Sequence, residues 1–170
     1  MKKAQSVIVA ASVLCLVGGV PQLAQAQTQG GVVRGNTEIN AVVGAQTSVA
    51  AGLGNKAQSN VGVVKGSGGS TEINAVVGAQ TTVAAGAYNK AQSNVGVAKN
   101  TSGPTQINAA VGNMTTVAAG AGNTAKTNVG VVKGGKGNVT VGVGNITNVV
   151  GGVGQKGCIN IGTKGVDGCE

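Results

Sequence analysis

A 34-residue unit occurs three times in succession, and nothing else in this 170-residue chain constrains its fold as strongly. It is first complete at residues 37–70 (TEINAVVGAQTSVAAGLGNKAQSNVGVVKGSGGS), returns at 71–104, and returns again at 105–138. Self-similarity at a fixed period marks architectures in which each unit buries a face only against its neighbours. Within the unit, three stretches carry apolar residues at alternate positions: 37–43, 47–53 and 59–65. Ile39, Val49 and Val61 anchor them, with Ile73, Val83 and Val95, then Ile107, Val117 and Val129, as the equivalents one and two units later. Period-2 alternation is the pattern of a half-buried strand. Gly44, Gly54 with Asn55, and the run Gly66 to Gly69 punctuate the stretches as turns.

The side chains available decide between packing modes. The chain has 32 glycines, one Tyr and neither Phe nor Trp, and its apolar positions are mostly Val and Ala. Such residues cannot fill a thick core, but they suit thin, flat layers stacked at regular intervals. Helix is disfavoured by the density of Gly, Val and Thr. A positive mean hydropathy and few charges separate the chain from solvated coils. The expected fold is therefore all-β: a β-solenoid of about four stacked 34-residue turns, with three short strands per turn and a body roughly 20 Å tall at strand spacing. The fourth turn is a degenerate unit at an offset of 32. There Asn145-Ile146-Thr147-Asn148-Val149 answers Asn113 to Val117, and Asn160-Ile161-Gly162 answers Asn128 to Gly130. Terminal repeats are commonly atypical because they end the stack.

The first 26 residues read differently. Lys2 and Lys3 precede an apolar run from Val7 to Val20, and Leu23-Ala24-Gln25-Ala26 supplies an A-x-A site. This is the pattern of a secretory signal peptide cleaved after Ala26, and the run is too short for a membrane span. The expected organisation is a signal peptide at 1–26, an N-terminal linker at 27–36, three β repeats at 37–137, and a degenerate fourth repeat at 138–170 that could act as a cap. Export places the mature chain outside the cell or at its surface, where Cys158 and Cys169 are expected to form a disulfide.

In-register stacking turns repeated residues into columns. Asn40, Asn74 and Asn108 form one, and Asn60, Asn94, Asn128 and Asn160 another; both lie inside strands, where stacked amides can hydrogen-bond along the column. Asn55, Asn89 and Asn123 form a third, expected to hold left-handed turn geometry. Lys65, Lys99 and Lys133 are equivalent, as are Lys56 and Lys90. Without Lys2 and Lys3, ten basic residues face four acidic ones, a net charge of +6. The lysine columns keep faces and edges soluble, or attract polyanions such as acidic polysaccharide, lipopolysaccharide or extracellular DNA. Threonines recur at Thr37/Thr71/Thr105 and Thr47/Thr81/Thr115, but not as the Thr-x-Thr array on every turn that an ice-binding face would use.

Enzymatic constellations are missing from the sequence. There is no histidine, and the carboxylates Glu38 and Glu72 give way to Gln106 in the third unit. No catalytic residue, metal site or cofactor is expected.

The stretch Gly52-x-x-Asn55-x-Ala57-Gln58, repeated at Gly86 to Gln92 and partly at Gly120 to Lys126, resembles the G-x-x-N-x-A core of curlin repeats. The curlin Gln two residues before the Gly is Ala50 here, and the period is longer. Thr47-Ser48-Val49-Ala50-Ala51-Gly52, with Thr81 to Gly86, resembles the head repeats of trimeric autotransporter adhesins. The first resemblance implies an exported subunit that self-assembles into the amyloid-like fibres of a biofilm matrix. The second implies a surface adhesin. Self-assembly by strand addition at open solenoid ends is the leading expectation. Its rival is a non-fibrous adhesin that holds anionic polymers through the lysine columns, and ice binding is a minor third. The secretion partner is not legible in the residues.

Overall fold

The computed structural model describes residues 5–9, 14–15, 23–30, 37–134 and 136–165, and the side chains of 37–134 and 136–165. Among these residues there is no helix. The repeat region consists of long strands alternating with shorter ones: β4 (Thr37–Ala51), β5 (Lys56–Ser67), β6 (Thr71–Ala85), β7 (Ala91–Thr101), β8 (Thr105–Ala119), β9 (Ala125–Lys133), β10 (Gly137–Gly151) and β11 (Gly157–Lys164). Before them, β1 (Gln5–Val9) and β2 (Leu14–Cys15) pair with β4, and β3 (Leu23–Gly30) pairs with β5.

The long strands form one parallel sheet, β4-β6-β8-β10, and the short ones a second, β5-β7-β9-β11. The register is the repeat itself: Ile39 lies on Ile73 and Ile73 on Ile107, at a 34-residue offset throughout. In the last turn the offset becomes 32, with Asn145 on Asn113 and Asn160 on Asn128. Even the connections stack: Thr37 N–H donates to Ser70 C=O at 2.8 Å and Ala57 N–H to Lys90 C=O at 2.8 Å. The chain is a β-solenoid of about four turns.

The three expected stretches are carried by two strands per turn. The first two lie within one 15-residue strand, whose burial changes phase at its middle. Thr37, Ile39, Ala41 and Val43 point inward, whereas beyond Gly44 and Ala45 it is Gln46, Ser48 and Ala50 that are buried. Two consecutive exposed residues at the corner shift the alternation by one. The expectation that Val49, Ala51 and Leu53 face the core is therefore corrected: Val49 and Ala51 are half-buried on the outer side, and Leu53 lies past the strand end, 67% exposed. The corner needs glycine for room. A Cβ on Gly78 would stand 2.4 Å from the carbonyl oxygen of Gly44, and the same approach recurs at Gly112 and Gly144.

The second sheet bends at Gly62, Gly96 and Gly130, which hold φ near +60°, a region open to glycine. Val61 and Val64 on either side of the bend both face the core, where they meet Ile39, Ala41 and Val43 of the first sheet. Toward the other end of each turn the core thins to alanine, with Ala50 against Ala57 and their equivalents below. This accounts for a core without aromatics: the two sheets approach closely enough for small aliphatic side chains, mostly Val and Ala, to fill the gap.

Candidate functional site: ladders, an open end and a basic groove

The two Asn columns within strands form hydrogen-bonded ladders. Asn74 Nδ2 donates to Asn40 Oδ1 at 2.9 Å, and Asn108 Nδ2 to Asn74 Oδ1 at 2.9 Å. On the second sheet Asn94 donates to Asn60 at 2.6 Å, Asn128 to Asn94 at 2.8 Å and Asn160 to Asn128 at 2.9 Å. The Asn60 column lies on the side of β5 away from the core and is nevertheless buried, as is the neighbouring column Val63, Val97 and Val131. The bend at Gly62 falls between these two columns. Gln58 Nε2 adds a bond to Asn60 Oδ1 at 3.1 Å and Gln92 Nε2 one to Asn94 Oδ1 at 3.1 Å, so the ladder is braced within the first two turns as well as between turns.

The third Asn column departs from expectation. Asn55, Asn89 and Asn123 are buried and do not occupy left-handed geometry; among the described residues the non-glycine positions at positive φ are Tyr88 and Asn100. Instead each side chain clamps two carbonyls. Asn89 Nδ2 donates to Ala84 C=O at 3.2 Å in its own turn and to Ala119 C=O at 2.6 Å in the next. Asn55 does the same with Ala50 and Ala85, and Asn123 with Ala118 and Gly151. Ala85, Ala119 and Gly151 are the last residues of their long strands, and their carbonyls also accept the backbone N–H of Gly52, Gly86 and Gly120, so each Asn adds a second bond where the strand ends.

Sequence reasoning missed a second polar system, inside the core. Ser59, Thr82, Ser93, Thr116 and Thr127 are all fully buried and form one hydroxyl chain that crosses between the sheets at every step. Thr82 donates to Ser59 at 2.9 Å, Ser93 to Thr82 at 2.8 Å, Thr116 to Ser93 at 2.9 Å and Thr127 to Thr116 at 2.9 Å. Gln80 Nε2 likewise donates to Gln46 Oε1 at 2.9 Å within the corner. The signal was present in the sequence as Ser or Thr at equivalent positions of the three full units, 11 residues before a second such position, but it became visible only once the phase change after Gly44 was known.

At the C-terminal end, β10 and β11 are the edge strands of their sheets. Val139, Val141, Val143 and Ile146 are only partly buried, although their stacking partners Ile107, Ala109, Val111 and Met114 are buried. Ile159 and Ile161 of β11 are 45% and 46% exposed. At the opposite end, the segments stacked on β4 and β5 are β1, β2 and β3, of which β1 and β2 fall wholly within residues 1–26.

The lysines divide between two places. Lys65 is exposed near the end of β5, with Lys99 and Lys133 half-buried beneath it. Lys56 and Lys90 are exposed at the start of the second sheet and line a groove of about 600 Å³ together with Thr124, Lys126, Lys156 and Cys158. Cys158 is placed in β11; the expected pairing with Cys169 falls on a residue outside those described. The expected signal peptide and linker boundary runs through β3, between Ala26 and Gln27.

No protein-family model, curated protein or solved structure matches the chain. Its functional reading rests on the geometry just described.

Proposed function

We propose that the mature protein is an exported structural subunit that assembles head to tail, by strand stacking, into curli-like fibres at the cell surface or in an extracellular matrix. The observation that carries this reading is the outer edge of β10, on which no strand is stacked among the described residues. Its inward side chains Val139, Val141, Val143 and Ile146 lose the burial that every equivalent residue above them enjoys. The matching surface is β4. Removal of residues 1–26 takes β1 and β2 with it and bares a strand of 15 residues, the same length as β10. Continuing the internal offset sets Val139 on Ile39, Val141 on Ala41 and Val143 on Val43 of a second copy, with Gly144 on Gly44 at the corner. Exposed edge strands of this kind template further pairing, and apolar burial at about 25 cal/mol per Å² favours it. Ladder-forming amides, a parallel in-register sheet and a low content of charge are shared with cross-β assemblies. The role is non-enzymatic.

The test is to follow residues 27–170 under oxidising conditions by thioflavin fluorescence and fibre diffraction. Assembly with a meridional reflection near 4.8 Å is expected. Val141→Lys places an inward charge at the open end and should suppress assembly while the circular dichroism of the monomer is kept. A wild-type chain that stays monomeric at high concentration would remove this reading.

A further inference from the structure

The groove at the start of the second sheet holds one lysine on each of its four levels. Lys56 and Lys90 are stacked equivalents. The third turn has Thr124 at that position but brings Lys126 in two residues later, over Gln92 and under Cys158 in the stacking order. The fourth turn restores the original position with Lys156. Levels lie ~4.8 Å apart, so the row covers about 14 Å along the stack. Among the described residues no acidic side chain lines the groove, and Lys56, Lys90 and Lys156 are exposed. Among the described residues these three have no anionic partner, while Lys126 is half-buried and engaged in a contact of its own.

Four like charges in file repel one another, and solubility alone does not call for their alignment in a concave site. The third turn is informative because the position changes while the charge on that level is kept. We infer that the groove is a binding site for a linear acidic polysaccharide, a polymer whose carboxylates or sulfates recur once per sugar ring, at a spacing of the order of the stacking distance. Extended single-stranded nucleic acid is a poorer fit. Its binding sites combine positive charge with aromatic platforms for the bases, and the chain's one aromatic, Tyr88, is not among the lining residues. The groove is complete within one chain, so the inference does not depend on assembly.

Polygalacturonate binding to dispersed mature protein, measured by titration calorimetry over a salt series, tests it. The triple variant Lys56→Gln, Lys90→Gln, Lys156→Gln should bind about tenfold more weakly and with a flatter salt dependence. A control of equal charge, Lys65→Gln, Lys136→Gln, Lys164→Gln, should change affinity less than about twofold. Single-stranded DNA of comparable length should bind more weakly than the polysaccharide. Equal losses in the two triple variants would reduce the effect to net charge, and an unchanged groove variant would overturn the site. DNA binding as tight as polygalacturonate would overturn the choice of ligand.

Discussion

Single residues in this protein act through the turn above and the turn below. Gly78 illustrates how narrow the tolerance is. It is solvent-exposed, and by position alone it would be a harmless site for alanine, yet a Cβ there would sit 2.4 Å from the Gly44 carbonyl oxygen. Gly78→Ala should therefore destabilise the fold by about 1–3 kcal/mol, the range for forced overpacking. Gly68, with nothing within 4 Å of a built Cβ, is the control, and Gly68→Ala should stay within about 0.5 kcal/mol of wild type in urea unfolding. The buried hydroxyls carry the same logic into the core. Thr82 both donates to Ser59 and accepts from Ser93, so Thr82→Val keeps the shape but removes the donor to Ser59 and the acceptor for the Ser93 hydroxyl. A loss of about 1–3 kcal/mol is expected there. The outward-facing Thr47→Val should be close to neutral by the same thermal or chemical denaturation.

At the scale of the strand, much of the architecture was legible. The period, the stretches at 37–43 and 59–65, the registers of 34 and 32 and the Asn40 and Asn60 columns can all be read from equivalence between units. The second stretch was not legible in its facing. Apolar alternation points to Val49 and Ala51 as inward, but the corner at Gly44–Ala45 adds a residue to the count and turns Gln46 and Ser48 inside. Burial of polar side chains normally counts against an assignment. Stacking removes the objection here, because Gln46 accepts from its copy Gln80 one level away and Ser48 donates to the Gln58 carbonyl on the facing strand. Asn55 failed for a related reason. Turn propensity describes a residue's own backbone, whereas Asn55 is held by carbonyls at Ala50 and Ala85, one of them 30 residues distant. Local preference gave the right location and the wrong role.

The molecule as a whole is a sum of near-identical layers, each contacting only the next. Stability in such arrays is close to additive in layers and interfaces. Deleting residues 71–104 joins the first unit to the third, and Thr37 to Thr105 becomes the same Thr-on-Thr step that Thr71 to Thr105 is now. The shortened chain should fold, with an unchanged circular dichroism shape and a lower melting temperature. Loss of cooperative unfolding in that variant would show that the middle unit does more than repeat.

The uniform offset also fixes how the protein would yield if its two ends were drawn apart. The sheet hydrogen bonds run along the stack, so axial tension loads successive turns in series and parts them one at a time, like leaves pulled from a pad. Each turn released would lengthen the chain by about 34 residues of about 3.5 Å, on the order of 120 Å. A single-molecule force trace should show evenly spaced low peaks of that size, and one tall peak with a single long extension would mean that the layers break together.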